Sequence, residues 1–183
     1  MRLVYAVALM PFAALANPLE TDFDQIFADN AAAVEEKNGG GSVELDNKVL
    51  LSRNSEGKYL ALDGSPHEAV GCVLQITLQS YAVGGVCPES LTADETATLE
   101  QNLQSFAEFY AANNVPMHPV EDVKQALDQA VEALAARFEN LKCTQPEVEK
   151  FKEFIGLLTS DESQQKLIAS LGTPRLPVTQ PCL

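Results

Sequence analysis

The chain has 183 residues, 12 basic side chains against 26 acidic ones, and a formal net charge of −14 at pH 7. This length is typical of one domain with a hydrophobic core of its own. An acidic surface repels phosphate backbones and anionic lipid headgroups, and no local basic cluster reverses the charge. The composition therefore argues against nucleic acid and against a membrane surface as partners.

Residues 1–16 have the features of a secretory signal peptide. Arg2 gives a positively charged start, residues 3–9 form a short apolar stretch, and Ala14-Leu15-Ala16 is an A-x-A cleavage site. The apolar stretch is too short to span a bilayer. We therefore expect an exported mature chain in a bacterial periplasm or outside the cell, with no membrane insertion. Because Arg2 leaves with the signal peptide, the mature net charge is about −15.

Residues 17–41 are expected to form an N-terminal helix and a Gly-rich joint. Thr21 is a potential N-cap, apolar residues recur at helical spacing as far as Val34, and Asn38-Gly39-Gly40-Gly41 ends the helix. Residues 42–63 alternate between apolar and polar positions around the turn sequence Asn54-Ser55-Glu56-Gly57. This alternation predicts a small β-hairpin, with a third short strand as an option.

Residues 66–83 fit either a helix or a strand. Ser65-Pro66 followed by Glu68 resembles a helix start, and a narrow polar stripe leaves the other positions apolar, as in a largely buried helix. Leu74, Ile76 and Leu78 alternate with less apolar neighbours, which is a strand pattern. The helix interpretation is favoured, and the strand interpretation stays open.

From residue 90 to residue 172 the pattern predicts a bundle of amphipathic helices. Capping boxes at Thr92-x-x-Glu95 and Thr144-x-x-Glu147 begin two helices, Pro119 begins another, and Gly172 ends the last. The helix after Pro119 carries an apolar seam from position 120 to position 141, with steps of three and four residues. Residues 42–172 and 17–41 are thus expected to form one domain, followed by an extended tail at 173–183 pinned by Cys182. The predicted fold class is mainly α: a disulfide-stabilised antiparallel helical bundle with a small N-terminal β-hairpin.

Four cysteines, Cys72, Cys87, Cys143 and Cys182, predict two disulfides in an exported chain. None belongs to a CxxC motif, so neither a zinc knuckle nor a redox motif is indicated. In an antiparallel bundle, the end of one helix and the start of its partner meet, which favours the pairing Cys87–Cys143 and Cys72–Cys182. A strand at 70–78 would instead favour Cys72–Cys87 and Cys143–Cys182.

The sequence contains no catalytic signature. His67 and His118 are the only histidines, and neither belongs to a zincin motif, a nucleophile elbow or a metal-ligand spacing. We therefore expect no catalytic residue, no metal and no cofactor. Phe109 lies off the apolar stripe of its helix, and Met117 and His118 lie in the following loop. These three residues are the candidates for contact with a partner.

One arrangement of motifs extends over residues 70–143. Cys72 precedes Cys87-Pro88, a capped helix ends near Phe109, a loop rich in Pro and His follows, and a second helix leads to Cys143. This spacing resembles that of certain small periplasmic immunity proteins, which are helical domains that neutralise toxins delivered through type VI secretion. The β-hairpin and the fourth cysteine depart from that pattern, and the resemblance implies no particular functional residue.

The sequence thus predicts a secreted or periplasmic, non-catalytic binding protein of the inhibitor or immunity type. Its partner would be another protein, a basic one given the strong negative charge. The first alternative is a carrier that holds a small apolar ligand in the bundle core. The second is a secreted hydrolase without a recognisable motif.

Overall fold

The computed structural model describes residues 18–140, 143 and 146–182. The predicted signal peptide lies outside these residues, as do Thr144 of the second capping box and Leu141 at the end of the seam. Antiparallel helices packed together make up most of the described chain, and an antiparallel sheet precedes them. The prediction of a mainly α fold with a small N-terminal β element is confirmed.

The N-terminal part consists of one short helix and four strands. Helix α1 (Phe23–Asp29) is followed by a 3₁₀ turn at Ala31–Ala33. The strands are β1 (Glu35–Lys37), β2 (Gly40–Leu45), β3 (Val49–Arg53) and β4 (Tyr59–Asp63). Each strand pairs with the next in antiparallel register, in the order β1-β2-β3-β4. The sheet therefore has four strands, whereas the sequence predicted a two-stranded hairpin with a third strand as an option.

The prediction that the first helix continues to Val34 is wrong. The helix ends at Asp29, and residues 35–37 pair with β2 instead. Asn38 and Gly39 have φ values of 54° and 78°, so they form a tight turn between two strands and not a flexible joint. Gly40 is required where β2 passes β3, because a Cβ there would lie 2.4 Å from the carbonyl oxygen of Arg53.

Helix α2 (Val70–Val86) lies at the centre of the helical part and confirms the helix interpretation of residues 66–83. It begins later than Ser65-Pro66 predicted, because residues 63–67 form a turn in which Asp63 and Ser65 accept hydrogen bonds from backbone amides two residues on. Val70, Leu74 and Leu78 of α2 belong to the main hydrophobic core. Nearly every α2 side chain is buried or half-buried, which explains why its pattern could also be mistaken for a buried strand.

Four more helices pack around or beyond α2. They are α3 (Ala93–Asn113), α4 (Val120–Phe138), α5 (Pro146–Leu158) and α6 (Asp161–Leu171). Both hydrogen bonds of the capping box predicted at Thr92 and Glu95 are present. The first half of the predicted seam of α4 is buried at Val123 and Leu127 and packs against Phe106 of α3 in the same core. This packing fills the space between α2, α3 and α4 with hydrophobic side chains.

Two disulfides fasten the ends of α2. Cys87 is bonded to Cys143, and Cys72 is bonded to Cys182 in the tail. This is the pairing that the antiparallel helix arrangement favoured. Two such bonds indicate an oxidising, extracytoplasmic environment. Among the described residues, no helix is long and apolar enough to cross a bilayer.

The tail after α6 is extended, as predicted, but more than Cys182 holds it. Leu176 and Val178 are buried in the core between α1 and the sheet. The Asp63 amide donates to Gln180 O at 2.7 Å, and the Gly71 amide donates to Val178 O at 2.9 Å. A Cβ on Gly71 would lie 2.8 Å from that carbonyl oxygen, so glycine permits the close approach of tail and helix.

Candidate functional site

The loop at residues 114–119, between α3 and α4, is fastened by the side chain of Asn114. Its Oδ1 accepts hydrogen bonds from Thr21 Oγ1 (2.7 Å) and from the Val115 amide (3.0 Å). Its Nδ2 donates to Pro18 O (3.0 Å) and to Glu20 O (3.2 Å). Asn114 is 1% exposed, and these four bonds use the full capacity of its amide group. The loop and the segment before α1 therefore hold each other in place.

A backbone hydrogen bond strengthens the same junction. The Asp22 amide donates to Val115 O at 2.7 Å. Because the Thr21 hydroxyl is engaged with Asn114, Asp22 caps α1 instead, and its carboxylate accepts from the Gln25 amide at 2.8 Å. The prediction of Thr21 as N-cap is therefore wrong by one residue.

The loop presents Met117 to solvent. The Met117 side chain is 75% exposed, the largest exposed fraction among the large hydrophobic residues that the structure describes. The bonds of Asn114 fix the backbone on its N-terminal side, and α4 begins three residues later. An apolar side chain is thus held in water by a constrained segment of backbone.

Phe109, which the sequence suggested as a candidate for contact with a partner, is buried in the structure. It is 5% exposed and belongs to the main core. Its ring lies 5.9 Å from Cζ of Arg175 in the tail. The tail and α6 pack against the side of α3 that carries Phe109. Phe109 is therefore buried, although it lies off the apolar stripe of α3.

His118 lies beside a shallow cavity of about 310 Å³, which is also lined by Pro18, Asp122, Gln125 and Gln129. Its Nε2 is buried and makes no hydrogen bond to protein. His67 belongs to a different part of the fold, before α2, where its Nε2 lies 3.3 Å from Thr173 Oγ1. The part of the chain that the structure describes contains no group of three His, Cys, Asp or Glu residues able to hold a metal ion.

Exposed carboxylates surround the loop. Glu20 and Asp22 lie on the segment that Asn114 and Val115 bind, and Glu121 and Asp122 open α4. Between positions 59 and 123 the sequence contains no Lys and no Arg. The first basic residue after the loop, Lys124, is paired with Glu121 at 3.0 Å. Met117 therefore stands in a surface of negative potential.

Three tyrosines have a raised pKa. Burial alone raises the pKa of Tyr110 in the main core. A hydrogen bond to Glu100, followed by burial, raises the pKa of Tyr81, and a hydrogen bond to Asp24 raises that of Tyr59. All three phenols therefore ionise at a higher pH than a free tyrosine, and two of them act as hydrogen-bond donors to carboxylates.

The most elaborate polar cluster in the described residues centres on Arg175. Its Nε donates to Asp63 Oδ2 at 2.6 Å, and both side chains are buried. The other guanidinium nitrogens donate to Ser170 O, Ser170 Oγ, Thr173 O and Glu68 O. The cluster joins β4, α6 and the tail. Sequence reasoning missed it, and the only available signal was that Arg175 is the single basic residue after Lys166.

The chain was compared with protein-family models, curated proteins and solved structures. None of them matches. The comparisons therefore lend no support to the resemblance between residues 70–143 and periplasmic immunity proteins.

Proposed function

We propose that the protein is an exported, non-catalytic binding protein of the inhibitor type that recognises a basic protein partner through Met117 and the loop around it. Removal of residues 1–16 would release it into a bacterial periplasm or the extracellular space. The observation that carries the proposal is a large apolar side chain, 75% exposed, on a loop that a buried asparagine holds in place.

A constrained loop favours binding because association otherwise has to order the interface. Immobilising a flexible segment costs free energy that is subtracted from the affinity. Here the hydrogen bonds of Asn114 have already ordered the backbone before any partner arrives. The Met117 side chain itself remains adaptable and can fill an irregular apolar pocket. Met is enriched in protein interfaces, and a few central residues carry most of the binding free energy of an interface.

The surrounding charge selects the class of partner. Glu20, Asp22, Glu121 and Asp122 are exposed around the loop, and Lys124 offsets only one of them. A partner with Lys or Arg residues around an apolar pocket would complement this surface and would be attracted to it over a distance of about one Debye length, about 8 Å at physiological ionic strength. The association should therefore weaken as salt is added.

The test begins with native mass spectrometry of the oxidised protein purified through its own export route, which gives the mass and stoichiometry of any bound protein. The affinity of that protein is then measured for the wild type, for Met117→Ala and for Ile168→Ala. Ile168 is a matched control, because it is 70% exposed but lies on α6. Loss of an anchor should weaken binding by roughly 30-fold or more, which corresponds to about 2 kcal/mol.

The outcomes separate clearly. Weak binding by Met117→Ala with unchanged binding by Ile168→Ala supports the proposal, and so does an affinity that falls with increasing salt. Equal affinity for wild type and Met117→Ala would show that the loop is not the binding site. An affinity that does not depend on salt would contradict a basic partner.

A further inference from the structure

A groove lined by apolar side chains lies at the end of the bundle opposite the Met117 loop. It lies between the end of α2, the start of α3 and the second half of α4, and its volume is about 310 Å³. Its apolar walls come from Ala82, Leu91, Val131 and Ala135. The volume equals that of about ten water molecules at roughly 30 Å³ each, which is enough for a small organic ligand.

Two adjacent glycines in the last turns of α2 shape this groove. Gly84 is explained by packing, because a Cβ there would lie 1.9 Å from Leu91 Cδ1. A Cβ on Gly85 would meet nothing within 4 Å, and Gly85 has an ordinary helical φ. Glycine in a helix is less stable than alanine by about 1 kcal/mol. No contact among the described residues explains Gly85, and its missing side chain leaves space in the groove.

Tyr81 gives the groove a polar side, and it is hydrogen-bonded to Glu100, an exposed carboxylate that lies beside the groove and is not one of its lining residues. The Tyr81 hydroxyl donates to Glu100 Oε1 at 2.8 Å, and Tyr81 lines the groove. Asp128 of α4 is close enough to Tyr81 to raise its pKa together with Glu100. No Lys or Arg is among the described residues that line the groove. A cation in the groove at Tyr81 would therefore lie next to the hydrogen bond between Tyr81 and Glu100.

We propose that the groove binds a small primary amine with an alkyl or arylalkyl body. The hydrocarbon would pack against Leu91, Val131 and the open surface at Gly85. The ammonium group would donate to Glu100 beside Tyr81. The ligand would therefore be held at the surface between helices, and not in the bundle core where the carrier alternative places it. This site does not depend on the Met117 loop, so either proposal can fail alone.

The probes are hexylammonium, hexanoate and hexan-1-ol, which have six carbons each and carry a cationic, an anionic and a neutral polar group at the end of the chain. Each is titrated into the full oxidised protein at constant pH and ionic strength, and backbone amide chemical shifts are followed by NMR. We expect saturable shifts at the Gly84 and Gly85 amides with hexylammonium. We expect its dissociation constant to be at least tenfold lower than that of hexanoate, with hexan-1-ol in between.

Variants then distinguish this groove from general surface binding. Gly85→Leu should fill the groove and weaken hexylammonium binding at least tenfold without lowering Tm, since the new side chain enters open space. Gly85→Ala provides a smaller change that preserves the fold. Glu100→Gln should remove the preference for the amine, whereas Glu108→Gln, an exposed position on the same helix, should not.

Three results would overturn the proposal. The first is a shift that rises linearly with hexylammonium and does not saturate. The second is equal binding of hexylammonium and hexanoate, which would show that Glu100 exerts no selection. The third is unchanged hexylammonium binding by both Gly85 variants, which would place the amine elsewhere.

Discussion

Replacing Arg175 with Met removes the cation from a carboxylate that has no access to water. Arg175 Nε and Asp63 Oδ2 are 2.6 Å apart, and the exposed fractions of the two side chains are 0% and 1%. The other guanidinium nitrogens donate to oxygens of Ser170, Thr173 and Glu68. Met supplies a similar apolar stem but none of these donors. The substitution therefore leaves a buried charge and several buried acceptors without their partner.

The expected cost follows from this burial. Removing one member of a buried ion pair destabilises a protein by about 3–5 kcal/mol, because the remaining charge is not compensated. Within the described residues, the Asp63 carboxylate then keeps the hydrogen bond from the Ser65 amide, at 2.9 Å, and no other. For a domain of this size, 1 kcal/mol changes Tm by about 2–4 °C. Arg175→Met should therefore lower Tm by roughly 6–20 °C.

The measurement is thermal unfolding of the oxidised protein at neutral pH, followed by circular dichroism. Lys166→Met is the control, because it breaks the exposed pair between Lys166 and Glu162, whose atoms are 2.8 Å apart, and should leave Tm unchanged. The double variant D63N/R175M should unfold at a higher temperature than Arg175→Met, since it also removes the stranded charge. A decrease of less than about 2 °C for Arg175→Met would refute the reasoning and would mean that water reaches the carboxylate.

Three further predictions concern the loop, the disulfides and the core. Asn114→Ala should destabilise the protein by about 1–3 kcal/mol and accelerate hydrogen exchange at the Val115 amide, because that amide loses its acceptor. Replacing Cys87 and Cys143 together with Ser opens a loop of 56 residues and should lower the free energy of unfolding in urea by about 4 kcal/mol in the chain-entropy model. Burial raises the pKa of Tyr110 in the folded protein. The contribution of the protonated Tyr110 to stability is therefore complete below the pKa of about 10 in the unfolded chain, and it is lost as the pH rises above that value towards the folded pKa. Phenolate absorbance should therefore show one tyrosine that ionises only as the protein unfolds in alkali.

Each of these predictions has a control. Asn113→Ala removes a neighbouring amide that bonds only within α3, to Phe109 O, and should leave Val115 exchange unchanged. A peptide map that links Cys72 to Cys87 would contradict the disulfide assignment. Tyr110→Phe should abolish the late ionisation step, and a late step that persisted in it would assign the step to another tyrosine.

The helices after residue 90 were predictable because their signals are local. Thr92 and Glu95 form a capping box within three residues of chain, and the helix start at Pro119 and the stop at Gly172 need no distant partner. The same holds for the turn at residues 54–57, where the Asn54 carbonyl and side chain bind nearby backbone amides.

The first forty residues were not predictable in the same way. Three alanines at 31–33 favour a helix by intrinsic propensity, yet the chain leaves the helix at Asn30 to form β1. Pairing of β1 with β2 and packing of Val34 on the sheet core override that propensity. Neither interaction can be read from a helical pattern in a single segment.

The candidate site was predictable only in part. Met117 was chosen as a candidate for contact with a partner because it lies in a loop between two helices, and the structure shows it 75% exposed. The burial of Phe109 and the role of Asn114 depend on residues far away in the sequence, since Thr21 lies 93 positions before Asn114. Arg175 was missed for the same reason, because its carboxylate partner lies 112 positions earlier.

That separation also has a consequence for how the chain is made. The core beneath the sheet includes Leu176 and Val178, and β4 gains its outer contact from Gln180. While the ribosome adds the residues after β4, α1 is available to pack on the sheet, but Leu176, Val178 and the guanidinium that neutralises Asp63 are still missing. An open sheet is prone to pair wrongly with other chains. The first strands therefore reach their final packing only when residues from the opposite end of the fold arrive.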